Sequence, residues 1–382
     1  MIDIAHVSHF DITTMQEDAN RLIAGRQGAL GVFLLAADVD RLGALLPGLA
    51  TLTVPVFGGL FPGLIFDGVT QDSGALLVFF EGAGTPVLMS DLGRPYDTWG
   101  LGADAPATIL ADRPSALILI DGHAPHIGNF LEGIYRTVGR RLCYLGGGAG
   151  SYEQNDLACL FVGTEVRARS AIVVPLADRW SLGARHGWRV LHEPLLASRT
   201  RGNLIEELNW QPAYSVYRDL VEAETGQPFD VEHFAEVARW FPFGLYRKDA
   251  ESVVRNPLGV TTEGALVCQA EVPEHATLSL LYGTPAALLA AAREATIQAL
   301  AGVPADRGDG GMPGAFVIDC IFRKQFLRST FAAELESITA TAAAAGAVRK
   351  PAGLLTTGEI ASNQSGALDF YNWTAVVGVC HG

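Results

Sequence analysis

ALILIDGHAPHIGNFLEGIYRTVGRRLCYLGGGAG, residues 116–150, carries the pattern on which the fold turns. Leu117–Ile120 is a short apolar run of strand length. Ile127, Phe130, Leu131, Ile134 and Val138 then recur at helical spacing, which gives the next segment one apolar face. Cys143–Gly150 (CYLGGGAG) is a second strand running into a glycine turn, and Leu157–Phe161 returns as a third.

The same order occurs on either side. Upstream, Val32–Leu35 is the strand, and Asp38 stands as the N-cap of a helix with Val39, Leu42, Leu45 and Leu46 on one face. Val54–Gly59 is the strand and glycine turn, Asp67-Gly68 signals a hairpin, and Gly74–Phe80 is a buried strand. Downstream, Ala315–Cys320 (AFVIDC) is the strand, with Phe331, Leu335 and Ile338 on the helix. Ala352–Ile360 (AGLLTTGEI) fills the strand-and-glycine slot, and Thr374–Val379 closes the unit. The repeating unit is strand, helix, strand, glycine turn, strand. It predicts an α/β (α+β) protein of two lobes, with mixed or antiparallel sheets covered by helices.

A different stretch separates the second and third units. Pro212–Val221 predicts a helix with proline at its first position, and Val260–Pro273 a hairpin turning at Glu263-Gly264. Thr284-Pro285 opens an Ala/Leu-rich helix that ends before Gly302, and Ala305–Gly311 (ADRGDGG) predicts a surface loop. The polar stretch Arg199–Asn209 marks the seam, which places an N-terminal lobe at 1–205 and a C-terminal lobe at 206–382.

Half the residues (49%) are apolar and 18% are charged, ample for large cores. Against 27 Lys and Arg stand 41 Asp and Glu, a net charge of −14. Such a surface repels nucleic acid and anionic lipid, so neither is an expected partner. The first residues lack the basic and apolar regions of a signal peptide, and no apolar run is long enough to span a membrane. The five cysteines, Cys143, Cys159, Cys268, Cys320 and Cys380, are odd in number and lie mostly in apolar runs. They predict free buried thiols in a reducing compartment, hence a cytoplasmic address.

The glycines at 146–148 and 150 follow a strand but do not match a dinucleotide fingerprint, and no phosphate loop occurs. A turn or close backbone packing explains them better. His123 and His126 are interrupted by Pro125, and no Cys or His pair has zinc-ligand spacing, so no stoichiometric zinc is expected. There is no nucleophile elbow. Arg323 near Cys320 would lower a thiol pKa, although a core cysteine at a strand end explains Cys320 as simply. Glu359, after Thr356-Thr357-Gly358 at the end of an apolar strand, sits where ligands bind in α/β lobes.

Ala352–Ile360 followed by Phe370-Tyr371-Asn372-Trp373-Thr374 resembles the closing signature of FIST-domain proteins. Ala315–Arg323, Val254–Leu258 (VRNPL) and Leu145–Ala149 are similar to other stretches of that family, in the family's order. Tyr371 stands where the family has His, and Phe57–Gly63 departs from the usual strand-glycine-glutamate turn. The resemblance implies a FIST N lobe followed by a FIST C lobe, acting as an intracellular sensory module for a small ligand, with amino acids the usual proposal. It implies no chemistry of its own and a separate signalling partner, because the pair of lobes uses nearly the whole chain. Some stand-alone relatives are haem-binding nitric-oxide sensors that regulate a histidine kinase, so haem and a histidine kinase are carried as alternatives. A homo-oligomer is compatible with the chain. No histidine can be assigned as a haem ligand, and the metal-binding residues are unknown.

The expected ligand site lies in the C-terminal lobe, at the ends of the strands carrying Cys320 and Thr357. Cys320, Arg323, Thr357, Glu359 and Asn372 would converge there, with Gly147 and Gly148 as further contacts. A cation, a carboxylate and an amide together suit a zwitterion. Two alternatives stay open: an enzyme using Cys320, Arg323 and Glu359, and a simple surface pairing of Arg323 with Glu359.

Overall fold

The computed structural model describes residues 2–8, 10–93, 97–154, 157–248, 250–304, 314–362 and 366–381. The expected surface loop Ala305–Gly311 lies outside them. The chain divides into two compact units, one formed by residues 1–185 with 292–382, the other by 186–291.

The first unit begins β1 (Ile2–Val7), α1 (Ile12–Ile23), β2 (Gly28–Leu35), a 3-10 turn at Ala36–Arg41, and α2 (Leu42–Leu49). It continues β3 (Val56–Phe61), β4 (Gly63–Phe66), β5 (Val69–Gln71) and β6 (Ala75–Glu81). The same order follows at once: β7 (Val87–Met89), α3 (Asp97–Ile109), β8 (Ser115–Asp121), α4 (Ile127–Val138) and β9 (Cys143–Ala149), then β10 (Leu160–Val162), β11 (Glu165–Arg167) and β12 (Ala171–Leu176). A third pass opens with β13 (Trp180–Arg185) and is interrupted by the second unit.

That unit holds β14 (Arg189–Arg201), β15 (Leu204–Leu208), β16 (Gln211–Pro212), α5 (Ala213–Thr225) and α6 (Phe234–Ala238). It also holds β17 (Phe243–Leu245), β18 (Val253–Arg255), β19 (Pro257–Val260), β20 (Leu266–Cys268) and β21 (Thr277–Tyr282). The helix α7 (Pro285–Ala301) begins in the second unit and ends in the first. The third pass then resumes with β22 (Ala315–Cys320), α8 (Ile321–Leu327), α9 (Phe331–Ala344), β23 (Ala352–Thr356), β24 (Glu359–Ser362), β25 (Leu368–Tyr371) and β26 (Ala375–Cys380).

Three sheets result, and they are built alike. Their strand orders are β1-β6-β2-β3-β10-β11, β7-β12-β8-β9-β24-β25 and β13-β26-β22-β23-β4-β5. In each, the two strands joined by the crossover helix pair in parallel: β2 with β3, β8 with β9, β22 with β23. The closing strand returns antiparallel on the first of them. The intervening hairpin does not stay at home. Each repeat passes its hairpin to the preceding repeat's sheet in cyclic order, β4–β5 to β23, β10–β11 to β3, and β24–β25 to β9. Val32–Leu35, Leu117–Ile120 and Phe316–Asp319 thus occupy equivalent places, as the sequence repeat requires.

Two local expectations are corrected. Asp38 caps no helix; it lies inside the 3-10 turn and pairs with Arg41 at 3.1 Å. The glycines of β3 and β9 sit within strands, not in turns. A Cβ on Gly58 would lie 1.9 Å from the Val32 carbonyl oxygen, and one on Gly146 1.7 Å from that of Ile118. Both glycines are there because neighbouring backbones approach too closely for any side chain. The Asp67-Gly68 hairpin forms as expected, with φ of 54° and 75°.

The second unit is one antiparallel sheet, β18-β17-β21-β14-β15-β20-β19, with β16 on β15. The polar stretch Arg199–Asn209 forms the β14–β15 hairpin within it. Tyr217 of α5 packs its buried ring against Phe229, Phe234 and Phe243 at 5.3–5.8 Å. Among the described residues, no helix is long and apolar enough to cross a membrane, and no three His, Cys, Asp or Glu side chains are grouped to hold a metal. The described cysteines are free thiols.

Candidate functional site

β22 is Ala-Phe-Val-Ile-Asp-Cys, wholly buried, and α8 starts where it ends. Alternation along the strand puts Asp319 and Cys320 on opposite faces, and one turn of helix brings Arg323 back to Asp319. The Arg323 Nε lies 3.3 Å from Asp319 Oδ1, and that same oxygen accepts the Cys320 backbone N–H at 2.8 Å. From α9, Glu334 accepts both ends of the guanidinium, Nε at 3.1 Å and Nη2 at 2.5 Å. The third direction of Arg323, Nη1, donates to the Trp373 carbonyl at 3.1 Å. Arg323 is therefore wrapped by its own protein, and its bidentate partner is Glu334, not Glu359.

Thr356 ends β23 opposite Cys320, and Glu359 starts β24 opposite Gly147 and Tyr371. The Thr356 hydroxyl donates to Glu359 Oε1 at 3.0 Å and the Thr374 backbone N–H to Oε2 at 3.2 Å. The Cys320 thiol also hydrogen-bonds this carboxylate. Gly147 and Gly148 face the same turn: a Cβ on them would lie 2.7 Å from the Thr356 methyl and 2.6 Å from the Thr357 hydroxyl. They leave room for the threonines. Thr357 donates to the Ala149 carbonyl at 3.3 Å, and the Asn372 carbonyl accepts from Thr374.

The structure therefore gathers Cys320, Arg323, Thr357, Glu359, Asn372, Gly147 and Gly148 into one neighbourhood. It adds Asp319, Glu334 and Thr356, which sequence reasoning missed. Asp319 stands in an otherwise apolar strand, and Glu334 lies on the Phe331–Leu335–Ile338 face of its helix. An acid on an apolar face was the available signal.

Asp319, Cys320, Arg323, Glu334, Thr356, Glu359 and Asn372 are each 0% exposed. Three carboxyls thus share one guanidinium away from water, where an uncompensated charge is costly. Burial pushes Glu359 up to about 8, opposed by the Thr374 amide, the Thr356 hydroxyl, the Cys320 thiol and the charge of Arg323. Burial and the neighbouring Glu334 carboxylate push Asp319 well above the usual carboxylate range, opposed by the charge of Arg323. Burial opposes the charge on Arg323, but Glu334 and Asp319 outweigh it and hold the guanidinium charged. Arg323 thus holds Glu334 bidentately and meets Asp319 at 3.3 Å, while Glu359 is engaged by Thr356, Thr374 and Cys320.

The expected lowering of the Cys320 thiol is reversed. Burial and then Glu359 raise it well above its ordinary value, against weaker help from the backbone amides of Trp373 and Phe322. The trio Cys320, Arg323 and Glu359 is thus split between a neutral thiol–carboxyl pair and a separately engaged arginine. Nor do these residues fit haem, which needs an apolar bed and an axial ligand. The cluster contains no histidine, and its one thiol is held protonated. The buried His186 has its ring nitrogens engaged by the Trp188 N–H at 2.8 Å and by Ser252 at 3.4 Å.

The repeats supply an internal comparison. Val32, Ile118 and Val317 face Gly58, Gly146 and Gly353 across the three parallel pairs, and each glycine is forced by the same carbonyl approach. Counting from these anchors, Leu34 and Ile120 stand where the third repeat has Asp319. Leu64 and Leu160 stand where it has Glu359. The architecture closes these positions with aliphatic side chains twice and with acids once, so the fold itself does not require the acids.

Comparison with curated proteins finds no match. The chain does match two domain families in tandem, the FIST N domain over residues 29–211 and the FIST C domain over residues 213–362. The two matches meet at β16–α5, inside the second compact unit. The FIST C match takes in the rest of that unit and the acid-bearing third repeat as far as Ser362. The chain belongs to the FIST-domain proteins, with a FIST N domain followed by a FIST C domain.

Proposed function

We propose that this chain is a sensory protein whose small ligand engages the third repeat around Glu359, and whose change of state is read by a separate signalling partner. FIST domains are small-ligand sensory domains of signal transduction, which supports the class of function. The observation that carries the location is the replacement of two aliphatic pairs, Leu34/Ile120 and Leu64/Leu160, by Asp319 and Glu359. Buried acids that a fold does not need are costly and point to function.

Arg323 does not receive a ligand carboxylate in this reading, because Glu334 and Trp373 already engage it. The recognition group is Glu359 with the Thr356 and Thr357 hydroxyls, which suits a ligand bearing an ammonium or amide donor. A histidine kinase is the partner class that the family resemblance raises.

The test is thermal unfolding with a panel of free amino acids and small amines, on the wild type and on Glu359→Gln. A ligand that binds only the native state raises Tm with concentration. The wild type should show such a shift with at least one member of the panel, and the variant should fold yet lose it. A variant that keeps the full shift places the site elsewhere.

A further inference from the structure

Tyr371 and Trp373 flank Glu359 through the backbone. Glu359 of β24 pairs directly with Tyr371 of β25, which puts the two side chains on one face of the strand pair with Cβ atoms about 5 Å apart. Trp373 precedes Thr374, whose amide donates to Glu359 Oε2. Trp373 has φ of 58°, a left-handed conformation that costs a bulky residue energy and persists only when its surroundings impose it. Its ring stacks on Phe322 at 6.2 Å and meets Phe326 edge-on at 5.6 Å, both on α8. Phe322 and Phe326 are half-buried, Trp373 and Tyr371 are 4% and 3% exposed, and Glu359 is fully buried. The aromatic series thus leads from the surface to the acid.

We propose that the ligand of this site is an alkylated ammonium ion, a small quaternary amine whose charge is met by Glu359 and whose methyl groups pack on the rings of Tyr371, Trp373 and Phe322. The proposal narrows the ammonium ligand of the preceding reading and rests on placing that site at Glu359.

The hydrogen bonds already made at Glu359 select between classes of ammonium. An ionised carboxylate offers about four lone-pair sites. Thr356 takes one on Oε1, Thr374 takes one on Oε2, and the Cys320 thiol donates to the same group. The nearby carbonyls are engaged as well: Trp373 receives Arg323, Asn372 receives Thr374, and Ala149 receives Thr357. A primary ammonium brings three N–H donors, and a buried donor without an acceptor is costly. A quaternary ammonium brings the same charge with no donor at all. Its methyl groups carry that charge outward, where aromatic faces attract it. The ligand's charge in turn balances the carboxylate in a site away from water.

Choline and ethanolamine differ only in the methyl groups on nitrogen, so the pair isolates their effect. Thermal unfolding of the full-length protein is followed with tetramethylammonium, choline, ethanolamine and ammonium, each as the chloride at constant ionic strength. Tetramethylammonium and choline should raise Tm with concentration. Ethanolamine should need at least about tenfold more for the same shift, and ammonium chloride should match sodium chloride.

Tyr371→Phe keeps the ring and should keep the choline shift, whereas Tyr371→Leu should need about tenfold more choline. Phe322→Leu, at the half-buried end of the series, should weaken choline in the same direction and serves if Tyr371→Leu does not fold. Equal shifts with choline and ethanolamine, no shift with choline, or a choline shift that both leucine variants keep in full overturns the proposal. An amine shift that Glu359→Gln abolishes, with no preference for the methylated ion, leaves the site standing and ends the quaternary class alone. A choline shift that Glu359→Gln keeps in full overturns both.

Discussion

Arg323 and Glu334, eleven residues apart on successive helices, form a bidentate ion pair with no exposure to solvent, and the same guanidinium holds the Trp373 carbonyl. A buried pair of this kind adds little net stability over an apolar pair of equal volume, because both ions have given up their hydration. Breaking it from one side strands the other charge.

Glu334→Ala should accordingly destabilise the protein by about 3–5 kcal/mol. The double variant Arg323→Met/Glu334→Leu should cost markedly less than Glu334→Ala alone. Urea unfolding of the wild type and the two variants measures both quantities, and a double variant that costs as much as Glu334→Ala or more would contradict a coupled pair.

Glu359→Gln should change how stability depends on pH. The native carboxyl is held near 8, above its unfolded value near 4.5, so its contribution is fully present below pH 4.5 and lost as pH rises through 8. Across that window the wild type should lose on the order of 1 kcal/mol per pH unit relative to the variant. Denaturant midpoints at pH 5 and pH 8 give the comparison, and parallel curves would show that Glu359 is ionised in the native state.

Asp319→Asn should be mild, costing less than about 1 kcal/mol, because burial and Glu334 favour the uncharged form of Asp319 and the amide oxygen can still accept the Cys320 N–H. The loss should also be nearly independent of pH between 5 and 7. A cost as large as that of Glu334→Ala would mean that Asp319 carries charge.

Glycine substitutions should separate close approach from chain freedom. Gly146→Ala drives a Cβ to 1.7 Å from the Ile118 carbonyl and should destabilise by more than about 3 kcal/mol, or prevent folding. Gly43→Ala, in α2 with nothing within 4 Å, should stabilise by about 0.5–1 kcal/mol. Thermal unfolding of both variants reads the contrast, and a harmless Gly146→Ala would remove the packing explanation for that glycine.

Much of the architecture was legible because it is written in local chemistry. The apolar runs Val32–Leu35, Leu117–Ile120 and Phe316–Asp319, each followed by a helical stripe, determined three equivalent strand-helix-strand units. Asp67-Gly68 determined a hairpin and Thr284-Pro285 a helix start, each through short-range backbone preferences. The third-repeat neighbourhood of Cys320, Thr357 and Glu359 was legible too, since strand ends are set by the same patterning. What no local pattern contains is the partner of each group. The hairpin exchange that puts Glu359 on β9, and so beside Gly147, joins residues more than 200 positions apart. It follows from the three sheets closing on one another. Glu334 lies on the apolar face of its helix with no local signal of its partner, yet it takes the guanidinium that a simple surface pairing would have given to Glu359. Only in the tertiary structure do three carboxyls meet one cation without water. That burial, set by packing and not by composition, is what raises Asp319 and Glu359 above the ordinary carboxylate range.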